Sequence, residues 1–466
     1  MHKILSLLLP LLAFATGCGD DDGNTTPAIT PSLAFQDADT EQPIDALTFD
    51  AAGGEKIVGL TSNVDWTLAS DAEWLTTSNT SGQATTTYVK LTAKANESTE
   101  ARTAIVTLSG QGAMATLTVT QSGQDKPDDS GFITATAAMA AMGNGMNIGN
   151  TLDSYGDWIT GTSPKDFETA WGNPQITPQL IAAYKAAGVK TLRLPVTWRQ
   201  HIDDDGNVDD AWMARVREVV DYIIDEGMFC ILNVHHDCGG DDKAWLRADQ
   251  DADNLATIKH KFTGLWTNIA TEFQDYGDHL LFEGYNEMLD GSSRWTSTDA
   301  QGYAAHNELA QTFVSAVRAT GGNNAHRNII VCTYGADAHE TTLSSFVRPT
   351  DTAVDHLIVE VHNYTPGEFV GPSSAADAKA WTDSYATEVS NSFALISKYL
   401  TSKGMHVIIG EFGCNSNVAE AEQVKYAEHF VAEAAELGIP AIHWFDLIDR
   451  KTCEWTLPNV MQVVVK

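Results

Sequence analysis

The pattern of apolar and polar positions along the chain changes near residue 125. Before this point, short runs such as TAIVTLSG (103–110) and MATLTVTQSG (114–123) alternate apolar and polar residues, and turn residues separate them. This alternation is typical of β-strands with one buried face. Residues 31–124 are therefore predicted to form a small all-β sandwich.

A second rhythm begins after residue 131, where continuous apolar runs alternate with amphipathic helical patterns. Eight runs have the length and composition of buried strands: GMNIGN, TLRLPV, FCILNVH, LLFEGYNE, NIIVCTY, HLIVEVHNY, HVIIGEFG and AIHWFD. Strands that alternate with helices over residues 132–466 predict an α/β fold, the (β/α)8 TIM barrel. A doubly wound open sheet is the alternative. Residues 125–131 carry Pro, Gly and charge without an apolar anchor, which indicates a linker.

Polar or aromatic residues stand at the C-terminal ends of six of these eight strands. They are Arg193, His235 and His236, Asn286 and Glu287, His362 and Tyr364, Glu411, and Trp444. Taken singly, each has an ordinary explanation, such as a satisfied core histidine, an ion-paired arginine or a glutamate that has reached solvent. In a (β/α)8 barrel, however, the active site lies at this end of the strands. Because six strands deliver such groups to one face, we expect a functional site there.

Glu287 and Glu411 are the most informative of these residues. Two carboxylates that converge on one cleft can divide the cleavage of a glycosidic bond between them. One donates its proton to the leaving oxygen, and the other attacks the anomeric carbon. Repulsion between two such groups raises the pKa of one of them, which then serves as the acid. The pair therefore indicates a glycoside hydrolase.

The other strand-end residues can support this chemistry. Asn286 can bind the sugar 2-hydroxyl beside the reacting carbon, and Tyr364 can donate a hydrogen bond to the nucleophile. Trp444 offers a flat apolar face on which a pyranose ring stacks. The residues that can orient the two carboxylates are Arg193, His235 and His362.

The region 132–466 closely resembles glycoside hydrolase family 5, and within it the subfamily 4 type of endo-β-1,4-glucanases and xyloglucanases. The motifs that carry the resemblance follow the family's order: GMNIGNTLDS, ETAWGNPQITPQLI, TLRLPVTWRQHI, CILNVHHD, FEGYNEM, VHNYTPGEF, IIGEFG and HWFD. The resemblance implies that Glu287 is the general acid/base and Glu411 the nucleophile of a retaining mechanism that needs no metal or other cofactor. The substrate-binding residues that it implies are Arg193, His235, Asn286, His362, Tyr364 and Trp444, with Asn150 and His236 as further cleft positions.

Three features depart from the family's usual pattern. NEML replaces the commoner Asn-Glu-Pro, Asn363 stands where an aromatic residue is frequent, and only a short loop follows HWFD. These departures concern the shape of the cleft and not the catalytic pair. The resemblance implies a soluble plant β-glucan as substrate: xyloglucan, mixed-linkage glucan or a cellulose derivative. The alternatives are a β-mannanase of the same fold and a non-catalytic glycan-binding barrel, although the presence of both carboxylates argues against the latter.

The charge of the chain limits its partners. It has 62 acidic against 28 basic residues, a formal net charge of −34. Nucleic acids and anionic membranes are bound through basic patches, so neither is expected as a partner, whereas a neutral polysaccharide is compatible.

A metal-dependent hydrolase is a rival hypothesis, with His235, His236, Asp237, His362 and Glu411 as ligands. Adjacent histidines on a strand point to opposite faces, so only one of the two is expected to reach a given ion.

The N-terminus has the features of an export signal. Lys3 precedes the apolar run ILSLLLPLLAFA, and residues 1–18 end in ATGC, which resembles the lipobox of bacterial lipoproteins with Cys18 as the lipidated residue. Cleavage as a plain secretory signal is the alternative. Residues 19–30 are polar and begin with GDDDG, which resembles the tether of lipoproteins on the outer face of Gram-negative cells. A monomer attached to the outer membrane only through this lipid, and facing the exterior, is expected.

The predicted sandwich, residues 31–124, also carries recognisable motifs. SNVDWTLASDAEWLTTS and the closing LTVTQSG resemble the BACON module, an immunoglobulin-like domain, and imply a spacer. Trp66 and Trp74 are expected in its core rather than on a sugar-binding surface.

Cys230 and Cys332 lie in apolar runs and are expected to be buried thiols. A disulfide between two of the loop cysteines Cys238, Cys414 and Cys453 is left open.

Overall fold

The fold is described from a computed structural model of the chain, covering residues 30–98, 100–123, 131–295 and 298–466. The predicted signal segment with Cys18, nearly all of the tether and residues 125–130 of the linker lie outside these residues. Within the described ranges, no helix combines the length and apolar character needed to cross a bilayer. The chain divides into two compact units, residues 1–126 and 127–466.

The first unit is a sandwich of two sheets. Its strands are β1 (Leu33–Asp37), β2 (Ala46–Phe49), β3 (Gly54–Ser62), β4 (Trp66–Ser70), β5 (Leu75–Thr77), β6 (Ser81–Gly82), β7 (Thr87–Ala93), β8 (Arg102–Gly110) and β9 (Ala113–Gln121). One sheet has the order β1-β3-β7-β5 and the other β2-β9-β8-β4-β6. Trp66 is buried in the core between the sheets, and Trp74 packs against this core. The Arg102 guanidinium lies 4.5 Å from the centre of the Trp74 ring. Both tryptophans thus serve packing.

The second unit is a closed barrel of eight parallel strands, as the sequence predicts. The strands are β10 (Gly145–Asn147), β11 (Thr191–Leu194), β12 (Phe229–Asn233), β13 (Leu280–Glu283), β14 (Ile329–Cys332), β15 (Leu357–His362), β16 (His406–Phe412) and β17 (Ala441–His443). They pair in chain order, and β17 returns to β10. A hairpin follows, formed by β18 (Ile448–Asp449) and β19 (Glu454–Trp455). Parallel strands covered by helices are buried on both faces, which explains their nearly continuous apolar runs.

Helices surround the barrel and connect its strands. They are α1 (Ala135–Met142), α2 (Pro164–Glu168), α3 (Pro178–Ala186), α4 (Asp210–Asp225), α5 (Ala252–Glu272), α6 (Ala300–Ala319), α7 (Glu340–Ser345), α8 (Gly367–Val370), α9 (Asp383–Tyr399), α10 (Glu420–Glu436) and α11 (Pro458–Val464). Helix α4 shows why the sequence folds in this way. Asp209 caps its N-terminus by accepting the Trp212 amide, and Val216, Val219 and Ile223 form its buried stripe.

Two details differ from the sequence interpretation. Several barrel strands end earlier than predicted, so β12 ends at Asn233 and β13 at Glu283, and the site candidates that follow them lie in the first residues of loops. The loop cysteines also differ from the open possibility of a bridge. Cys238 and Cys414 are buried, and all five cysteines of the described residues are free thiols.

Candidate active site

Arg193 occupies the centre of the site. It projects from β11 into the barrel and is fully buried, so its charge requires partners. Its Nε and Nη2 donate to the two carboxylate oxygens of Glu283 at 2.6 and 2.7 Å, and its Nη1 donates to Glu411 Oε1 at 2.8 Å. The two remaining N–H groups donate to Asn147 Oδ1 at 2.9 Å and to Asn286 Oδ1 at 2.7 Å. All five guanidinium donors are therefore used, which fixes the arginine in one orientation.

This arrangement orients Asn286 toward the cleft. Because Arg193 takes its side-chain oxygen, the amide Nδ2 of Asn286 is left as a donor. The backbone N–H of Asn286 donates to Val234 O at 2.9 Å, so the loop after β13 is held against the end of β12. An amide donor beside the reacting carbon is what the sequence prediction requires of this residue.

Glu411 is held by donors on both of its oxygens. Tyr364 donates from its hydroxyl to Oε2 at 2.8 Å, and Arg193 donates to Oε1. Burial raises the pKa of Glu411 above its usual value, although the His362 and Arg193 charges act in the opposite direction. A carboxylate with its lone pairs engaged in fixed donors has one defined direction for attack.

His362 lies between the two candidate carboxylates. Its Nδ1 is 2.8 Å from Glu287 Oε1 and 3.5 Å from Glu411 Oε2, and its Nε2 is 3.1 Å from Glu360 Oε1. Burial lowers the pKa of His362, but these three carboxylates outweigh it and raise that pKa to about 10. The imidazole is therefore a cation at neutral pH. One carboxylate oxygen each of Glu287 and Glu411 lie within 4.8 Å of one another.

Aromatic rings form a second part of the site. His235 accepts from the Asn233 amide through Nδ1 at 3.0 Å, and burial lowers its pKa, so it is neutral with Nε2 as its donor. Its ring is parallel to that of Trp444, with the centroids 5.6 Å apart. Gly149 makes room for this tryptophan, because a Cβ at that position would lie 2.6 Å from Trp444 Cη2. His236 stands next, with its ring centroid 5.5 Å from that of Trp171.

A cavity of about 620 Å³ opens on the Glu287 side of the site. Its lining includes Glu287, His362 and Tyr364, together with Trp295, residues of the loops after β14 and β15, and residues of helix α9. Neither Glu411 nor Trp444 lines it. The site thus has an open polar side next to Glu287 and an aromatic side next to Trp444.

The predicted residues come together with one exception. Asn150 is exposed near the start of the loop after β10, in the left-handed region with φ 57°, and its carbonyl accepts from the Asn173 side-chain amide. On the same segment it is Asn147 that contacts Arg193.

Sequence reasoning missed four buried polar residues beneath the site: Asn147, Asn233, Glu283 and Glu360. A signal was available, since Glu360 lies two residues before His362 on one strand. Residues two apart on a strand share a face, so a buried charge at that position belongs to the site.

Several groups of side chains have the donors to hold a metal ion. Among the described residues these are Asp153, His235 and His236; Glu283, Cys332 and Glu360; and Glu287, His362 and Glu411. The expectation that adjacent histidines diverge is wrong here, because β12 ends at Asn233 and the His235 and His236 rings lie 4.5 Å apart in the loop. In the third group, His362 contacts Glu287 directly, and Arg193 and Tyr364 donate to Glu411, so hydrogen bonds already explain the spacing of these three residues.

Two family models match this chain. The model described as cellulase (glycosyl hydrolase family 5) matches residues 152–446, more than half of the chain. The model described as viral BACON domain matches residues 40–124. The first match covers most of the barrel, and the second covers most of the sandwich.

Proteins with similar sequences carry endoglucanase names. Endoglucanase B of Clostridium cellulovorans is 35% identical over 356 residues, which cover 72% of this chain and 76% of that protein. Endoglucanase A of Clostridium longisporum is 34% identical over 353 residues, which cover 71% of this chain and 65% of that protein. The match thus spans slightly less than two thirds of the latter protein's length.

Solved structures show the same fold. A point mutant of a glycoside hydrolase family 5 enzyme from Prevotella bryantii, in complex with a xyloglucan tetradecasaccharide, is 39% identical with a TM-score of 0.67 and covers 72% of this chain and 98% of that chain. A family 5 xyloglucanase of Bacteroides ovatus, in complex with a heptasaccharide, is 26% identical with a TM-score of 0.63. That match covers 93% of this chain and the whole of the other.

Proposed function

This chain belongs to glycosyl hydrolase family 5, and on that premise we propose that it is a retaining endo-β-1,4-glucanase acting on soluble β-glucans. The observation that carries the proposal is the triad Glu287–His362–Glu411 at the C-terminal face of the barrel. The separation of the two carboxylates, within 4.8 Å between oxygens, supports direct attack. Retaining enzymes have carboxyl groups about 5–5.5 Å apart, whereas inverting enzymes need roughly 6.5–9.5 Å for a water molecule.

In the first step, Glu411 attacks the anomeric carbon while the glycosidic C–O bond breaks and Glu287 gives its proton to the leaving oxygen. Arg193 and Tyr364 hold the attacking carboxylate, one donor on each oxygen. The product is a glycosyl ester on Glu411, and the negative charge now resides on Glu287. In the second step Glu287 removes a proton from water, which attacks the same carbon and releases Glu411. Two inversions give net retention.

The two sides of the site suggest how the glucan is bound. Glu287 protonates the leaving oxygen, so the cavity of about 620 Å³ that it lines would receive the leaving part of the glucan. The aromatic side with Trp444 and Trp171 would stack the sugars that remain covalently bound. The open cavity next to Glu287 leaves room for further sugars on the leaving side, which suits internal cleavage of a polymer.

Among soluble glucans, xyloglucan is the first candidate. The relative from Bacteroides ovatus is a xyloglucanase, and the match extends across both units of this chain. The enzyme from Prevotella bryantii binds a xyloglucan oligosaccharide. Mixed-linkage glucan and carboxymethyl cellulose follow, and β-mannan is the alternative backbone.

The test is a substrate panel with matched variants. The purified protein is incubated with xyloglucan, mixed-linkage glucan, carboxymethyl cellulose and β-mannan, and new reducing ends and product sizes are measured. We expect oligosaccharides of intermediate size from a β-glucan, and none from the isosteric variants Glu287→Gln and Glu411→Gln. If none of the four polymers yields new reducing ends, the proposal is overturned in favour of a glycan-binding protein.

We also propose that the protein is a monomer anchored to the outer membrane through a lipid on Cys18, facing the exterior. The support is the ATGC sequence after an apolar run, followed by the acidic tether. Metabolic labelling of cells with a radioactive fatty acid should label the wild type and not Cys18→Ser. Accessibility to external protease would test the orientation, and light scattering of the soluble region would test the oligomeric state.

A further inference from the structure

Glu360 lies directly beneath His362 and has an unusual environment. It precedes His362 by two residues on β15, so both side chains enter the barrel. Its Oε1 is 3.1 Å from His362 Nε2 and 3.4 Å from Arg193 Nη2, while its buried Oε2 has no hydrogen-bond partner in the described part of the chain. Gly410 on β16 makes the room, because a Cβ there would lie 1.8 Å from Glu360 Oε1.

Two cationic side chains and four carboxyl groups meet in this part of the barrel. The cations Arg193 and His362 stand among the carboxyl groups of Glu283, Glu287, Glu360 and Glu411. A buried site does not tolerate unpaired charge. Arg193 engages both oxygens of Glu283, whereas Glu360 Oε1 faces His362 Nε2, so Glu360 is the interior carboxyl group placed to pair with the His362 ring.

The proposed reaction moves a negative charge past His362. Before glycosylation the charge is on Glu411, and afterwards it is on Glu287. The same nitrogen, His362 Nδ1, lies 3.5 Å from the first and 2.8 Å from the second. A cation at this place faces one anion in both states, so the environment needs no reorganisation when the charge moves. A neutral imidazole has one N–H and could not donate to both Glu287 and Glu360.

We propose that Glu360 is a positioning residue that holds His362 as a doubly protonated cation, the fixed counterion for the charge exchanged between Glu411 and Glu287. Its catalytic consequence rests on the proposed hydrolase function, whereas the protonation of His362 does not. The titratable and charged groups that face His362 from all packed elements are Arg193 on β11, His235 after β12, Glu287 after β13, Glu360 on its own strand, Tyr364 after it, and Glu411 on β16.

The test compares two isosteric variants of the full chain. The protein is labelled with ¹⁵N-histidine, and the His362 resonances are identified by their absence from His362→Ala. In the wild type we expect both ring nitrogens to stay protonated through pH 8. Glu360→Gln should lower the His362 titration midpoint by more than one pH unit, a tenfold change in its acid dissociation constant. Glu283→Gln removes a buried carboxylate of the same cluster that does not contact His362. It should shift the His362 midpoint by less than about half as much as Glu360→Gln does.

Activity provides a second readout. Because His362 acts on the catalytic carboxylates and not on distant sugars, Glu360→Gln should lower kcat on polysaccharide at least tenfold with little change in KM. A wild-type His362 that titrates near its ordinary pKa overturns the proposal, and so does an equal shift in both variants. If Glu360→Gln does not fold, the wild-type titration decides. If His362 behaves as expected but no glucan is cleaved, the proposed function fails and the pairing of Glu360 with His362 stands.

Discussion

The Tyr364 hydroxyl donates a 2.8 Å hydrogen bond to Glu411 Oε2. This bond favours the ionised form of the carboxylate and so opposes the effect of burial, which raises the pKa of Glu411. The nucleophile must be ionised to attack, and the acid limb of kcat/KM therefore reports its titration in the free enzyme.

Removing this hydrogen bond should move the acid limb. In Tyr364→Phe the pKa of Glu411 rises further, so the limb should shift to higher pH by about one to two units, since a hydrogen bond to a charged group is worth roughly 1.5–3 kcal/mol. The measurement is kcat/KM on a soluble glucan from pH 4 to pH 9 for both proteins. A lower rate with an unmoved limb would show that Tyr364 contacts the substrate and does not tune the nucleophile.

Arg193 should be essential for stability as well as for activity. Arg193→Met leaves the buried Glu283, Glu360 and Glu411 without their shared cation, and we expect a loss of about 3–5 kcal/mol in the free energy of unfolding. These carboxylates would then stay protonated in the folded state to higher pH than in the unfolded state. The folded state binds more protons, so the variant should lose further stability as pH rises through the range above about 4.3.

A matched control is available outside the site. Arg215 makes a similar paired contact with the buried Glu168, at 2.9 and 2.7 Å. Arg215→Met should also destabilise the protein, yet it should retain wild-type kcat at a temperature where it is folded. Denaturant unfolding followed between pH 4 and pH 8 measures both variants. Equal loss of kcat in both would indicate that general instability, and not the site, explains the effect of Arg193.

Gly149 should be required because of the space that it leaves for Trp444. In Gly149→Ala the new Cβ would lie 2.6 Å from the Trp444 ring, which must move. A shift of about 1 Å in a positioned group can cost roughly 100-fold in rate, so kcat/KM should fall tenfold or more. Gly277→Ala is the control, since nothing lies within 4 Å of a Cβ there. Steady-state kinetics that do not distinguish the two variants would contradict this role.

The sequence predicted the elements of the barrel well and its interior charges poorly. The eight apolar runs became β10–β17 because strands buried on both faces must be apolar throughout. The same rule directed attention to residues beyond the apolar runs, so Glu283 and Glu360, which interrupt the runs, were missed. Their burial depends on Arg193, which is distant in sequence, and no local pattern contains that information. Strand geometry also predicted that His235 and His236 diverge. They converge because β12 ends at Asn233, before both of them.

The roles of the two glutamates can be separated with an activated substrate. An aryl β-glycoside with an excellent leaving group needs little protonation, so Glu287→Ala should still form the glycosyl-enzyme through Glu411. Azide needs no general base and should restore its turnover, giving a β-glycosyl azide. Glu411→Ala lacks the nucleophile, so any azide product should have the α configuration. Products with the opposite configurations would reverse the assignment of acid/base and nucleophile.

The stereochemistry of hydrolysis tests the central claim most directly. The wild-type protein is added to xyloglucan or mixed-linkage glucan in deuterated buffer, and proton NMR follows the anomeric signals of the new reducing ends before mutarotation. The account predicts that the β-anomer appears first, because Glu411 attacks the anomeric carbon at close range and water then attacks it a second time. The α-anomer as first product, or no new reducing ends at all, would contradict it.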